Sequence, residues 1–202
     1  RQTHQWAYKT DITAFFDNIQ RDQLVSMTTK ALRAESFRPI IQAIVSCEID
    51  DTDRALTRLA EVNGIKRGLG VRQGMPLSPL LSNVILRDFD QGMLKRGYKM
   101  VRYADDLIVL ASNREECCEI NQYARELLSK LRLTLPTLEE GTKTEIVAPG
   151  EPIDFLGLSL QRTGRGPYKL ILTQDHIGRI KRKLGELKDI ERLLKDRITF
   201  VD

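Results

Sequence analysis

Three aspartates stand where they could do chemistry: Asp11, and the adjacent pair Asp105-Asp106. Asp11 falls within a predicted first strand, Tyr8–Ala14, and the pair sits in or beside the turn of a predicted hairpin, Tyr98–Tyr103 with Leu107–Ala111. If the first strand and the hairpin are neighbours in one sheet, carboxylates far apart in sequence meet at one edge. Hard oxygen ligands gathered this way cannot neutralise one another and call for a divalent cation. Mg²⁺ is typically held by one or two carboxylates plus waters and substrate phosphates, and Mn²⁺ can substitute. Two such ions about 4 Å apart could activate a 3′-hydroxyl and stabilise a departing pyrophosphate. Turns favour aspartate, so an Asp-Asp pair by itself has a plainer account. The surrounding residues must decide.

The elements that would position these side chains follow from spacing. Helical patterns cover Arg21–Ala34 and Arg38–Cys47, and a shorter one covers Asp53–Glu61, with Asn63-Gly64, Gly68 and Gly70 as breakers before a predicted edge strand at Leu69–Arg72. Ser78 is a favoured N-cap and Pro79 a favoured first helical residue. Leu81, Val84, Ile85 and Phe89 then recur at helical spacing, predicting one helix to about Lys95. Asn113 with Glu116 resembles a capping box, and Cys117, Ile120, Ala124, Leu127, Leu128 and Leu131 form one apolar face of a helix over Arg114–Leu131. Strands follow at Lys143–Ala148, Ile153–Leu160 and Tyr168–Leu172. The last segment, Gln174–Lys195, is a basic amphipathic helix with Ile177, Ile180, Leu184, Leu187, Ile190 and Leu194 on its apolar side. The order strand, helices, hairpin, helix, strand predicts an α+β fold: a ferredoxin-like split βαβ antiparallel sheet backed by helices.

Composition narrows the classes. With 41% hydrophobic and 30% charged positions in 202 residues, intrinsic disorder is excluded. No apolar run approaches the roughly 20 residues of a membrane span, and no signal peptide opens the chain, so a soluble cytoplasmic protein with no membrane partner is expected. Three cysteines, two of them the vicinal Cys117-Cys118, argue against a disulfide framework. From Gln161 onward eleven Lys/Arg face six Asp/Glu, a local +5 that leaves −1 on residues 1–160 of a chain with net charge +4. Such a basic tail beside a near-neutral body suits a nucleic-acid contact, though a solvated helix face would read the same.

The company of the aspartates is Asp11-Ile-Thr-Ala-Phe-Phe-Asp17, Arg72-Gln-Gly-Met-Pro-Leu-Ser-Pro-Leu-Leu-Ser-Asn83, Tyr103-Ala-Asp-Asp106, Lys143-Thr144 and Phe155-Leu-Gly157, in that order. Over about Tyr8 to Leu160 this resembles the palm of reverse transcriptases, specifically the prokaryotic lineages of group II intron-encoded and CRISPR-associated enzymes. The resemblance implies a polymerase palm over 1–160, with 161–202 a connecting hairpin and the start of a thumb-like basic helix. It implies Asp11, Asp105 and Asp106 as metal-binding carboxylates, with the Ile12 carbonyl as an extra ligand. It makes Phe16 a steric gate that selects deoxynucleotides, Gln73 and Gly74 nucleotide contacts, and Tyr103 a residue under the primer terminus. Lys143 would approach the triphosphate and protonate pyrophosphate, a general-acid role. Phe155, Leu156 and Gly157 would grip the primer, and Arg179, Lys181, Arg182 and Lys183 would follow template–primer phosphates.

Plainer accounts stand beside several of these: core packing for Phe155, Leu156 and Phe16, and preferably for Phe15; a turn for Gly74; a strand aromatic pair for Tyr103; a solvated lysine for Lys143. The implied partners are an RNA template, a DNA or RNA primer and dNTPs, with intron RNA or CRISPR integrase and RNA-processing domains according to the lineage. Only ten residues precede Asp11, where the family's fingers would lie, so a piece of a longer protein is expected, with little polymerisation by the segment alone. The competing expectations are a palm-like RNA-binding module whose site is unused, and a non-templated or self-primed polymerase of a phage-defence system.

Overall fold

The computed structural model describes residues 5–33, 35–46, 48, 52–71, 76–139, 143–162 and 168–187. They form two compact units divided between Ile146 and Val147.

The first unit is built on a four-stranded sheet of order β2-β3-β1-β4, comprising β1 (Trp6–Asp11), β2 (Lys99–Tyr103), β3 (Asp106–Ala111) and β4 (Glu145–Val147), which runs one residue past the division. β3 pairs antiparallel with both β1 and β2. This order, with the hairpin beside the first strand, is the split βαβ arrangement the sequence predicts. β3 alternates half-buried and buried residues, Leu107, Val109 and Ala111 being the buried ones, as period-2 side-chain alternation requires.

Strand β1 ends earlier than its spacing suggests. Ile12 and Thr13 donate their amides to the Asp105 and Thr134 carbonyls, and Ala14 takes a left-handed φ of 43° that turns the chain into the short helix α1 (Phe15–Asn18). Helix α2 (Arg21–Leu32) stops where Arg33 reaches φ 54°, and α3 spans Arg38–Val45. Asp53 caps α4 (Arg54–Val62) through bonds from the Ala55 and Leu56 amides. The edge strand expected at Leu69–Arg72 reduces, among the described residues, to a single bridge between Gln20 and Leu69. Gly68 and Gly70 have φ of 70° and 78°, which breaks the extended run, and a Cβ on Gly70 would sit 2.9 Å from the Phe16 and Asp17 carbonyl oxygens.

The single helix expected from Ser78 to Lys95 is two, α5 (Ser78–Ile85) and α6 (Arg87–Lys95). They meet at Leu86, fully buried with φ −88° and ψ 1°. The bend keeps Phe89 and Met93 in the core, while Asp88 and Asp90 enter the first turn of α6, where the helix dipole favours negative charge. The N-cap of α5 is Leu77 rather than Ser78, and Pro79 lies in the first turn. Helix α7 (Arg114–Ser129) starts as predicted: Asn113 accepts from the Glu116 amide, and Glu116 accepts from the Ser112 amide, both at 2.7 Å. Its buried face is Cys117, Ile120, Ala124 and Leu128, which join Tyr8, Leu107, Val109, Phe89 and Met93 in one core.

The second unit holds a three-stranded sheet, β5 (Ile153–Phe155), β6 (Leu158–Arg162) and β7 (Tyr168–Leu172), and helix α8 (Gln174–Leu187). What reads in sequence as one strand, Ile153–Leu160, is a hairpin. Phe155 faces Leu158 across a loop of Leu156 and Gly157, whose φ of 52° and 79° give the doubly left-handed turn that joins strands tightly. Ile190 and Leu194 of the predicted last helix lie outside the described residues. Among the described residues no helix is long and apolar enough to cross a membrane.

Candidate active site

The register of β1 and β3 pairs Asp11 directly with Asp106. Directly opposed residues project to the same face of an antiparallel sheet, with Cβ atoms about 4.5–5.5 Å apart, so two carboxylates far apart in sequence stand side by side. Tyr103 and Asp106 close the β2–β3 hairpin around Ala104 and Asp105, and Ala104 takes a left-handed φ of 51°. The Asp105 carbonyl accepts the Ile12 amide at 3.2 Å, tying the turn to the residue after Asp11.

Lys143 completes the cluster, its Nζ donating to Asp11 Oδ2 at 2.6 Å. It is carried there by Thr144, a buried residue whose hydroxyl lies 2.6 Å from that of Thr10. On the face Asp11 shares with Lys9, the Lys9 ammonium pairs with Glu145 at 2.8 Å.

Charge crowding is legible in the acidities. Burial first, then the neighbouring Asp105 and Asp11 carboxylates, push the Asp106 carboxyl above the usual aspartate range, against the pull of Lys143 and Lys9. The hydrogen bond to Asp11 holds the Lys143 ammonium above its ordinary value.

Among the described residues no three Asp, Glu, His or Cys side chains converge on one point as a ready cation site. The donors nonetheless suit a hard cation. Asp11 Oδ1 is buried and, among the described residues, has no hydrogen-bond partner, an acceptor whose desolvation costs about 1–3 kcal/mol when nothing meets it. Asp106 stands opposite it and Asp105 is next in the turn. The Lys143 ammonium occupies Asp11 Oδ2, so it would compete with a cation for this carboxylate.

The other predicted residues divide. Phe15 is in the core at 2% exposure, and Phe16 is half-buried against it, ring centroids 5.1 Å apart. Tyr103 is 65% exposed and, among the described residues, joins no aromatic pair. Gln73 and Gly74 lie outside the described residues. Phe155, Leu156 and Gly157 belong to the second unit, where the Gly157 carbonyl accepts from the Thr173 amide and hydroxyl and a Cβ on Gly157 would collide with His176. On α8, Arg179, Lys181, Arg182 and Lys183 are all exposed.

Two arginines with shielded side chains, in no motif of the sequence, organise the surrounding loops. Arg21 donates from Nε to the Gly70 carbonyl at 2.7 Å and pairs with Glu48. The Gly68 amide first, then Arg21, hold the Glu48 carboxyl below its ordinary range. Arg102 forks onto Asp90, Nε to Oδ1 at 2.7 Å and Nη2 to Oδ2 at 2.5 Å, while its Nη1 reaches the Ala104 carbonyl at 2.9 Å and Asn83 Oδ1 at 3.2 Å.

The sequence matches the family model described as reverse transcriptase (RNA-dependent DNA polymerase) over residues 1–160. No curated protein matches it. Among solved structures it is similar to apo telomerase from Candida tropicalis truncated from its C-terminal domain, at TM-score 0.54 and 15% identity over 83% of this chain and 35% of that one. It is also similar to telomerase from Candida albicans in complex with a TWJ fragment of telomeric RNA, at TM-score 0.53 and 14% identity over 84% of this chain and 30% of that one. The chain thus spans about a third of the length of these structures, and at such identities the likeness is one of fold.

Proposed function

Because this chain belongs to the reverse transcriptase (RNA-dependent DNA polymerase) family, we propose that residues 1–160 are the palm of an RNA-directed DNA polymerase and residues 161–202 a connecting hairpin and the start of its thumb. The observation that carries the reading is the cross-strand pairing of Asp11 with Asp106, with Lys143 on Asp11. The reaction is addition of a dNTP to a primer 3′-hydroxyl on an RNA template.

Asp11, Asp106 and Asp105, with the Ile12 carbonyl, would hold two Mg²⁺ ions, which when bound make the 3′-hydroxyl easier to deprotonate and shield the pyrophosphate charge. The chain's own residues do the rest. The Asp106 carboxyl, raised in pKa by burial first and then by the Asp105 and Asp11 charges, favours any arrangement that brings positive charge among them. Lys143, protonated at neutral pH, has a proton to deliver at Nζ to the leaving pyrophosphate oxygen once it quits Asp11. Phe16, packed against Phe15, would present its ring where a ribose 2′-hydroxyl would otherwise fit. The exposed ring of Tyr103, across from Asp106, suits a primer terminus.

The block Gln73-Gly-Met-Pro-Leu-Ser-Pro79 supports a group II intron or CRISPR-associated lineage, whose partners would be intron RNA or integrase and RNA-processing domains. An RNA partner is further supported by the solved structure described in complex with telomeric RNA.

The test is RNA-templated dNTP incorporation by the full-length protein with Mg²⁺, beside an Asp105→Ala/Asp106→Ala version. Synthesis that disappears in the double variant is the expected result. Absence of synthesis in both, with RNA binding kept, would overturn the reading in favour of an RNA-binding module.

A further inference from the structure

We propose that Arg102 is a positioning residue for the carboxylate turn: its guanidinium, clamped by Asp90 and Asn83, holds the Ala104 carbonyl and thereby sets where Asp105 and Asp106 present their oxygens. The inference rests on the polymerase reading for its functional half, and on geometry for the rest.

The side chain of Arg102 is 8% exposed, and all three guanidinium nitrogens are used. Two of them form a parallel fork on Asp90, a planar match that an arginine makes and a lysine cannot. The fork fixes the plane of the guanidinium, and the third nitrogen then points at one backbone oxygen of the turn. That oxygen belongs to Ala104, which sits at φ 51° without the freedom of a glycine. A left-handed alanine persists when its surroundings over-determine it. The next carbonyl, that of Asp105, is held from the other strand by the Ile12 amide. The peptide units on both sides of Asp105 are therefore tethered, one to α5 and α6 through Arg102, the other to the chain just after β1. The bend at Leu86 serves the same end, since it carries Asp90 in the first turn of a new helix.

The experiment is site-resolved hydrogen exchange combined with steady-state kinetics on full-length protein carrying Arg102→Lys, which keeps the charge and loses the fork. The expected result is an Ile12 amide exchanging about tenfold faster while other β1 and β3 amides stay near wild type, because one end of the turn is freed. With it, kcat should fall about 10²-fold at unchanged KM for dNTP, the cost of a small misplacement of reacting groups. Should Arg102→Lys fail to fold, Asn83→Ala, which removes an acceptor at an exposed position, carries the same readouts at smaller amplitude. Unchanged Ile12 exchange overturns the proposal. So does uniform deprotection of β1 and β3, which would mean a stability role alone, or selective deprotection with kcat intact. If the wild type makes no DNA yet Ile12 is selectively deprotected, the polymerase reading falls and the hold of Arg102 on the turn stands.

Discussion

The hydroxyls of Thr10 and Thr144 meet at 2.6 Å in the interior, and this bond joins the residue before Asp11 to the residue after Lys143. The ion pair of the site is thus held from beneath by a neutral hydrogen bond between two buried residues. Thr144→Val should cost about 1–3 kcal/mol in denaturant unfolding by leaving the Thr10 hydroxyl without this partner. Thr10→Val/Thr144→Val should cost less than the two single changes summed, since neither hydroxyl is then left without the other. Additive costs in that cycle would show that the bond does not couple the two strands.

Lys143→Met should move two quantities in opposite directions. Freed from the ammonium, Asp11 should take up divalent cation more tightly in a calorimetric titration. Single-turnover chemistry should nonetheless slow by about 10²–10⁴-fold if Nζ supplies the pyrophosphate proton. Weaker cation binding in the variant would contradict competition between lysine and cation for Asp11.

Asp106 has its pKa raised by folding, through burial and the Asp105 and Asp11 charges. The folded state therefore holds this proton better than the unfolded state. For the metal-free protein its contribution to stability improves as pH falls through the folded pKa, and is complete below the unfolded one. Asp106→Asn should accordingly stabilise the metal-free protein at pH 7 by about 0.2–1 kcal/mol, the size of a relieved cross-strand repulsion. The gain should vanish in acid, where the wild-type carboxyl is already neutral. A gain independent of pH, read from thermal unfolding across the range, would exclude charge as its cause.

Phe16→Val tests the steric gate. Ribonucleotide incorporation relative to deoxynucleotide should rise by about 10–200-fold, the range one small change in pocket volume delivers. A drop in both rates without a change in their ratio would assign Phe16 to packing against Phe15.

On α8, replacing Lys181, Arg182 and Lys183 by Gln should flatten the salt dependence of template–primer binding, lowering the log–log slope by about 0.9 for each duplex phosphate no longer neutralised. An unaltered slope would leave these exposed cations as solvated charges.

Local signals in the sequence determined the pieces. The Tyr103–Asp106 turn between two strands, the Asn113–Glu116 start of α7 and its buried face all depend on residues a few positions apart, where backbone conformation and side-chain capping are settled. The candidates Asp11, Asp105, Asp106 and Lys143 came instead from ordered motifs that resemble the reverse transcriptase palm, since no local spacing singles them out. Tertiary packing decided how those motifs come together. The pairing of Asp11 with Asp106 is a matter of strand register, and register follows from which faces of β1 and β3 bury Tyr8, Leu107 and Val109. The bend at Leu86 is invisible to periodicity because the apolar spacing runs through it unbroken. The Leu156–Gly157 turn is hidden inside a run that reads as one strand, since only backbone dihedrals reveal it. The buried fork of Arg102 joins residues from α5, α6 and the β2–β3 hairpin, and no spacing within one segment encodes an interaction whose partners meet only when the core closes.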